Sequence, residues 1–306
     1  MRPRHSSRTA EFMALFRALE SVRRPASARL FDDRFARGFL RPSLRAAVGL
    51  SRLPLVGRVV PWYIDRRWPG ARSSGIARTR LIDDLVRDAL REEIEQVAIL
   101  GAGFDCRAYR IAGLERCRVF EVDHPATQAV KTARLHRRLG ALPAHVVFVP
   151  LDFARQTLDR AMDAAGFETA TRTFCVWEGV TNYLTEEAVD ATLRYFATTA
   201  RGSRLLFTYV HRGLLDGSAV FEGTEELVAT LHRADEPWTF GIDPARLRAF
   251  LAARGLVLAA DMGAADYRTR YLGRAMNGYE FYRAAVAEVP GPSGATRVPL
   301  RGAAQP

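Results

Sequence analysis

The sequence predicts an α/β fold, with a mostly parallel sheet covered by helices on both faces. Three observations carry this. From residue 76 onward, short apolar runs alternate with amphipathic helix patterns, as βαβ units do. The first run, Val97 to Gly101, passes directly into the turn Gly101-Ala102-Gly103, where glycine lets the backbone adopt conformations closed to other residues and approach a ligand. The second run ends at Asp123, 22 residues after Gly101. That is near the ~20-residue spacing at which doubly wound folds place an acid beside ribose hydroxyls.

The elements follow in order. Glu11 to Glu20 carries Phe12, Met13, Leu15, Phe16 and Leu19 at helical spacing, and Phe31 to Leu40 is a second short helix. Pro42, Pro54, Pro61 and Pro69 then divide the chain. Ile76 to Glu92 is a helix with Ile82, Leu85, Val86, Ala89 and Leu90 on one side. Strands are expected at Val97–Gly101, Val119–Asp123, Val146–Asp152, Phe174–Glu178 and Leu205–Val210. Helices are expected from Pro125 to Gly140, Ala154 to Ala165 and Thr185 to Ala200, the last capped by Thr185. Residues 211–240 break the rhythm with Gly, His and acidic residues and read as an insertion over the C-terminal edge of the sheet. Asp243-Pro244 opens a helix to Arg254. Leu256–Asp261 and Tyr267–Leu272 are read as late strands, and 290–306, rich in Pro, Gly and Ala, as a disordered tail.

Composition narrows the function. A chain of 306 residues with 48% hydrophobic and 26% charged residues holds one large domain or two small ones. Cys106, Cys117 and Cys175 form no CxxC, and the six His form no HExxH. Neither a disulfide framework nor a metal enzyme is indicated, and a reducing cytoplasm is the simplest compartment. Val48 to Ile64 is too interrupted by Arg and Pro to span a membrane. The net charge of +11 lies entirely in residues 1–72, where sixteen Arg face five acidic residues. With 44 Arg and one Lys, this has the look of a GC-rich genome; functionally it would draw in an anionic ligand. It lacks the compact basic tract with interleaved aromatics of a nucleic-acid binder, so no nucleic acid is expected.

The glycine turn and Asp123 indicate an adenosine-type ligand. A nicotinamide dinucleotide site needs a third glycine, where this chain has Cys106. S-adenosylmethionine has no pyrophosphate and needs no such glycine. A nicotinamide oxidoreductase is therefore the weaker alternative to methyl transfer, and a nucleic-acid-modifying methyltransferase is another.

The chain resembles the leucine carboxyl methyltransferase-like group of class I S-adenosylmethionine-dependent O-methyltransferases, over about residues 14–285. Its stations are Ala77-Arg78-Thr79-Arg80 before Asp83-Asp84; Leu100 to Asp105 with Arg107 to Arg110; Glu121 to Pro125 with Lys131; Val149 to Phe153; and Trp177 to Thr181 with Tyr183 to Thr185 and Phe207 to Val210. Cys106 stands where the family usually has Thr, and Asn182 where an apolar residue is common.

The resemblance implies a Rossmann-like seven-stranded sheet with its last strand antiparallel. It implies a helical cap over 1–75 and an S-adenosyl-L-methionine-binding domain over 76–289. Arg78 would hold the methionine carboxylate, with Gly101 and Gly103 beneath the methionine. Asp123 would take the ribose, Asp152 and Phe153 the adenine, and Glu178 the methionine ammonium or the substrate. The acceptor would be a small-molecule carboxylate or hydroxyl such as a polyketide-like acid, free or on an acidic carrier protein. A carboxylate needs no general base, whereas a phenol would want one; His211, after the fifth strand, is the candidate, and His124 is expected to be structural.

Overall fold

In a computed structural model, which describes residues 8–23, 25–53, 56–152, 156–222, 224, 237–273 and 278–291, seven strands form one sheet in the order β3-β2-β1-β4-β5-β7-β6. These are β1 (Gln96–Leu100), β2 (Arg118–Asp123), β3 (Val146–Pro150), β4 (Thr173–Trp177), β5 (Arg204–Val210), β6 (Val257–Met262) and β7 (Tyr282–Glu288). The first five run parallel, and β7 inserts antiparallel between β5 and β6. The order reverses at β1, so the crevice at the C-terminal ends of β1, β2 and β4 is where such a sheet takes its ligand.

Covering on both faces explains the composition of the strands. Every residue of β1 and β4 is buried. Along β1 the side chains alternate: Ala98 and Leu100 enter one core with Phe120, Phe207 and Leu193, and Val97 and Ile99 enter the other with Leu81, Ile82 and Val119. The helices between strands start where the sequence offers a cap. His124 Nδ1 accepts from Ala126 N–H at the start of α6 (Pro125–Leu139), and Thr185 Oγ1 from Ala188 N–H at the start of α8 (Glu186–Ala197). Asp243 accepts from Ala245 N–H ahead of a single 3₁₀ turn and the helix Leu247–Ala252. Among the described residues no helix is long and apolar enough to cross a membrane.

The N-terminal residues form their own core. Helix α1 (Arg8–Val22) packs with α2 (Pro42–Leu50) and α3 (Val59–Arg67) around Phe16, Leu19, Phe39 and Leu40, and this cluster continues into Phe104 and Leu135 of the sheet domain. Pro42 and Pro61 lie in the first turns of α2 and α3, where a missing N–H costs nothing. Helix α4 (Ala71–Arg91) is continuous, so a boundary drawn at residue 75 falls inside it.

Three sequence readings are corrected. Phe31 to Leu40 is not a helix but contains one 3₁₀ turn, Ala36–Phe39. Tyr267–Leu272 is not a strand: it belongs to the helix Ala264–Leu272, because Ala264, Tyr267 and Tyr271 share a face that packs on α4. The seventh strand is instead Tyr282–Glu288, which the sequence reading passed over. The helix expected from Ala154 spans Leu158–Ala164; residues 153–155, 223, 225–236 and 292–306, which include Phe153 and most of the expected tail, lie outside the described residues.

Candidate functional site

The expected site residues from four strands meet at one edge. Gly101 and Gly103 follow β1, Asp123 ends β2, Glu178 follows β4, and Asp152 lies two residues beyond β3. Gly101 has φ +66° and Gly103 φ +44°, in the region that disfavours side chains. A Cβ on Gly101 would lie 2.2 Å from Val180 Cγ2, so the turn is pressed against the loop that carries Glu178. Over Gly103 lies α1, with the Ala10 methyl 3.4 Å from where a Cβ would stand.

Asp123 locks the turn to the end of β2. Its Oδ2 accepts from Gly103 N–H at 2.5 Å and its Oδ1 from His124 N–H at 2.6 Å. Each oxygen keeps a further lone pair, so the carboxylate can also accept from two neighbouring hydroxyls. Burial raises its pKa, against the pull of these two N–H donors.

Beside the turn lies a buried ion network. Arg78 of α4 donates from Nε to Glu178 Oε1 at 2.8 Å, and the other oxygen of Glu178 accepts from Arg107 Nη1 at 3.1 Å. Arg107 also bonds Asp105 and, through Nε, Asp83 at 2.9 Å. Arg110 grips Asp83 with two bonds of 2.6 and 2.7 Å and lies 3.8 Å from Asp33, which takes Arg17 Nε at 2.8 Å. Arg17 in turn donates to Phe104 O at 2.5 Å. Four guanidinium groups thus meet four carboxylates, and the network is neutral. Burial would raise the Glu178 pKa, but Arg107 and Arg78 hold it below the ordinary carboxylate range. Burial works against the charge of Arg78 as well, and Glu178, with Tyr282 and Tyr267, more than offsets it.

An aromatic wall flanks this network. The Arg78 guanidinium carbon stands 4.5 Å from the Tyr282 ring centre. Tyr282 OH is 3.2 Å from Thr208 Oγ1, which accepts from Gly179 N–H at 2.8 Å, so β5 and β7 fix the loop after β4. Tyr279, Phe281 and Trp238 pack on Tyr282, and Phe221 packs on Phe281. Helix α1 reaches the same place: Met13 Sδ is 3.6 Å from Arg78 Nη2, and Thr9 Oγ1 is 3.2 Å from the Tyr183 hydroxyl.

The remaining expected residues stand apart from this cluster or do other work. Asp152 is half-buried, and its backbone N–H donates to Gln156 Oε1 at 3.2 Å. His211 is not brought to the network: its Nδ1 accepts from Gly213 N–H at 3.0 Å, capping the turn after β5, and its ring packs on Phe221. The lone pair a base would need is therefore committed. His124 likewise caps α6. Sequence reasoning quoted Asp83, Asp105 and Arg107 without giving them roles, and missed Asp33, Met13 and Tyr282. A buried Arg needs a carboxylate partner, so the run Asp105, Arg107, Arg110 was the available signal; Tyr282 lay in the unrecognised strand.

The chain is similar to known proteins. The family model described as leucine carboxyl methyltransferase matches residues 10–197. A Streptomyces coelicolor protein named "Putative S-adenosyl-L-methionine-dependent methyltransferase SCO7813" is 36% identical over 211 residues, covering 68% of this chain and 70% of its own. A Mycobacterium bovis protein with the same kind of name is 35% identical over 272 residues, covering 86% and 80%. Among solved structures, a DUF574 family protein from Streptomyces avermitilis superposes with TM-score 0.56 at 14% identity, covering 93% of this chain and 98% of that one. A structure described as "a putative methyltransferase from Thermobifida fusca" gives 0.58 at 15%, with the same coverage. These two show the likeness of fold.

Proposed function

From the premise that the chain belongs to the leucine carboxyl methyltransferase family and is an S-adenosylmethionine-dependent methyltransferase, we propose that it methylates an oxygen of a small anionic acceptor, a carboxylate by preference. The observation that carries this is the Arg78–Glu178 pair beside the glycine turn. The amino-acid end of the cofactor is a zwitterion. Its carboxylate suits the guanidinium of Arg78, and its ammonium suits Glu178, which keeps Arg107 as a second partner. Inserting a zwitterion into a neutral network leaves it neutral, so no buried charge is stranded. The residues present fit the cofactor.

Asp123 then accepts from the ribose hydroxyls while it retains its two main-chain donors. Gly101 and Gly103 let the backbone pass under the methionine, and Asp152, two residues beyond β3, addresses the adenine. The cofactor supplies the methyl group on a sulfonium. The chain's part is to hold acceptor oxygen, methyl carbon and sulfur in line and to exclude water, an ordering that can supply on the order of 7–11 kcal/mol. Tyr279 and Trp238, half-buried and backed by the buried Phe281 and Tyr282, give the acceptor an apolar surface.

A carboxylate acceptor is favoured because it arrives ionised. His124 and His211, the two histidines at strand ends, both spend Nδ1 on backbone N–H groups. The acceptor is read as a polyketide-like acid, free or borne on an acidic carrier.

The test is methyl transfer from labelled cofactor to a panel of aromatic carboxylic acids and matched phenols. The expected product is a methyl ester that releases labelled methanol in mild alkali. Label that resists alkali would move the acceptor to a hydroxyl; no label on any member of the panel would remove the small-molecule reading.

A further inference from the structure

Away from the sheet edge, the N-terminal segment borders an open hollow of about 790 Å³, within the size range of small-ligand sites. Six arginines line it: Arg29, Arg34, Arg37, Arg45, Arg52 and Arg138. Its two carboxylates are largely committed. Asp33 is buried against Arg17 and Arg110, and Asp32 pairs with Arg34 at 3.3 Å. The other five arginines have no carboxylate partner among the described residues.

Two of these guanidinium groups are anchored on main-chain carbonyls. Arg29 Nε donates to Arg23 O at 2.8 Å, and Arg45 Nη2 donates to Leu40 O at 3.1 Å. Arg37 is half-buried, and its Nε is buried with no hydrogen-bond partner. A buried guanidinium N–H without an acceptor is costly. Gly49 leaves the room Arg37 occupies, since a Cβ there would sit 3.2 Å from Arg37 Nη2. The neighbouring Arg134 records the local field: burial first, and then Arg45, lower its pKa.

The cavity is separate from the methyl-transfer site. Helix α6 starts at the ligand edge with Pro125 and reaches the cavity at Arg138. Thirteen residues at 1.5 Å each place the two sites roughly 20 Å apart. Helix α1 connects them, touching Gly103 and Arg78 through Ala10 and Met13 and lining the cavity with Ala18, Ser21 and Val22.

We infer that this cavity is a second binding site, for a small polyphosphate anion. Five like charges turned into one concavity destabilise the empty protein, and a ligand with several negative charges would both neutralise them and give Arg37 Nε its acceptor. A chain of linked phosphates can set separate charged oxygens against Arg29, Arg37 and Arg45. Arg34, Arg45, Arg52 and Arg138 are exposed, as a duplex backbone would ask, but Arg29 and Arg37 are half-buried, and the unpartnered Nε of Arg37 favours a small anion that enters the hollow.

The experiment is calorimetric titration of the native protein with sodium tripolyphosphate, and separately with ATP, at about 150 mM salt so that diffuse attraction is screened. One saturable site is expected. Equal affinity for the two shows that phosphates alone are recognised; tighter ATP binding adds a contact to the nucleoside. Arg37→Met with Arg45→Gln should weaken tripolyphosphate by roughly tenfold or more and leave S-adenosylhomocysteine binding unchanged. Arg138→Gln, at an exposed position, tests the site without risk to the core: it should melt no lower than the native protein and show a smaller rise in melting temperature with tripolyphosphate. Absence of a saturable site, affinity unchanged in both variants, or duplex RNA that displaces tripolyphosphate at lower concentration would overturn the assignment.

Discussion

Arg78 and Glu178, one hundred residues apart, meet at 2.8 Å with both side chains shielded from water. An ion pair this deep is costly to assemble and more costly to break, since losing one partner strands the other. Its place beside the glycine turn makes it the centre of the proposed cofactor site. Its neighbour in sequence, Arg80, is a control: Arg80 points the other way, pairing with Asp84 at a half-exposed position. Arg78→Ala should therefore weaken S-adenosylhomocysteine by roughly tenfold or more, while Arg80→Ala should change it by less than about twofold. Equal losses in calorimetry would end the assignment of Arg78.

Asp123→Asn separates geometry from charge. An amide has one acceptor oxygen, so Gly103 N–H and His124 N–H can no longer both be satisfied, and the amide nitrogen would face a donor. Cofactor affinity should fall by about 1–3 kcal/mol. Thermal melting with and without S-adenosylhomocysteine checks this: the variant should lose most of the ligand-induced rise.

Gly101→Ala should fail for two distinguishable reasons. Its Cβ would strike Val180, 2.2 Å away, and the φ of +66° disfavours any side chain. Adding Val180→Ala removes the first problem and leaves the second, about 1–2 kcal/mol. The double variant should recover part of the lost stability in denaturant unfolding; no recovery would mean that the loop after β4 does not press on the turn.

Asp105 gives a pH prediction. Burial pushes its carboxyl upward, but Arg107, then Arg17 and Lys131, outweigh it and bring the pKa from 3.8 to about 2. A depressed folded pKa means stability that is present above the unfolded value and lost as pH falls through the folded one. The contribution of Asp105, about 2 kcal/mol, should be constant from pH 8 to 5 and decline below 3.8. The stability gap between the native protein and Asp105→Asn should follow that course; a gap that closed near neutrality would contradict it.

The strand ends were legible because their signals are local: a glycine turn after an apolar run, an acid at the end of the next. The ion network was not, because most of its pairs join residues 24 to 100 apart, and no periodicity carries that information. The seventh strand was missed for a physical reason too. Tyr282–Glu288 holds three alanines, poor strand formers taken alone. They suit a central position between β5 and β6, where Ala284, Ala285 and Ala287 are fully buried. The Tyr267–Leu272 segment misled in the opposite way: Tyr267, Thr269 and Tyr271 are strand-favouring residues at every second position, but Tyr267 and Tyr271 also stand one helical turn apart.

The last prediction concerns how the N-terminal helices bear on the site. Arg17 is the bolt: it ties Asp33 of the N-terminal segment to Phe104 O of the glycine loop. Arg17→Met keeps the length of the side chain and removes the charge, leaving Asp33 with Arg110 at 3.8 Å and Phe104 O without that donor. Breaking a buried pair in this way costs about 3–5 kcal/mol, but the cost falls on the seam between α1 and the turn, since the sheet has its own two cores. Limited proteolysis should then cut within residues 8–40 well before the sheet domain, S-adenosylhomocysteine should bind more weakly because Ala10 and Met13 no longer cover Gly103 and Arg78, and methyl transfer should fall further than binding does, because water is admitted to the acceptor. A variant cut everywhere at once would show that α1 is integral to the global fold; one with native turnover would show that the segment does not close the site.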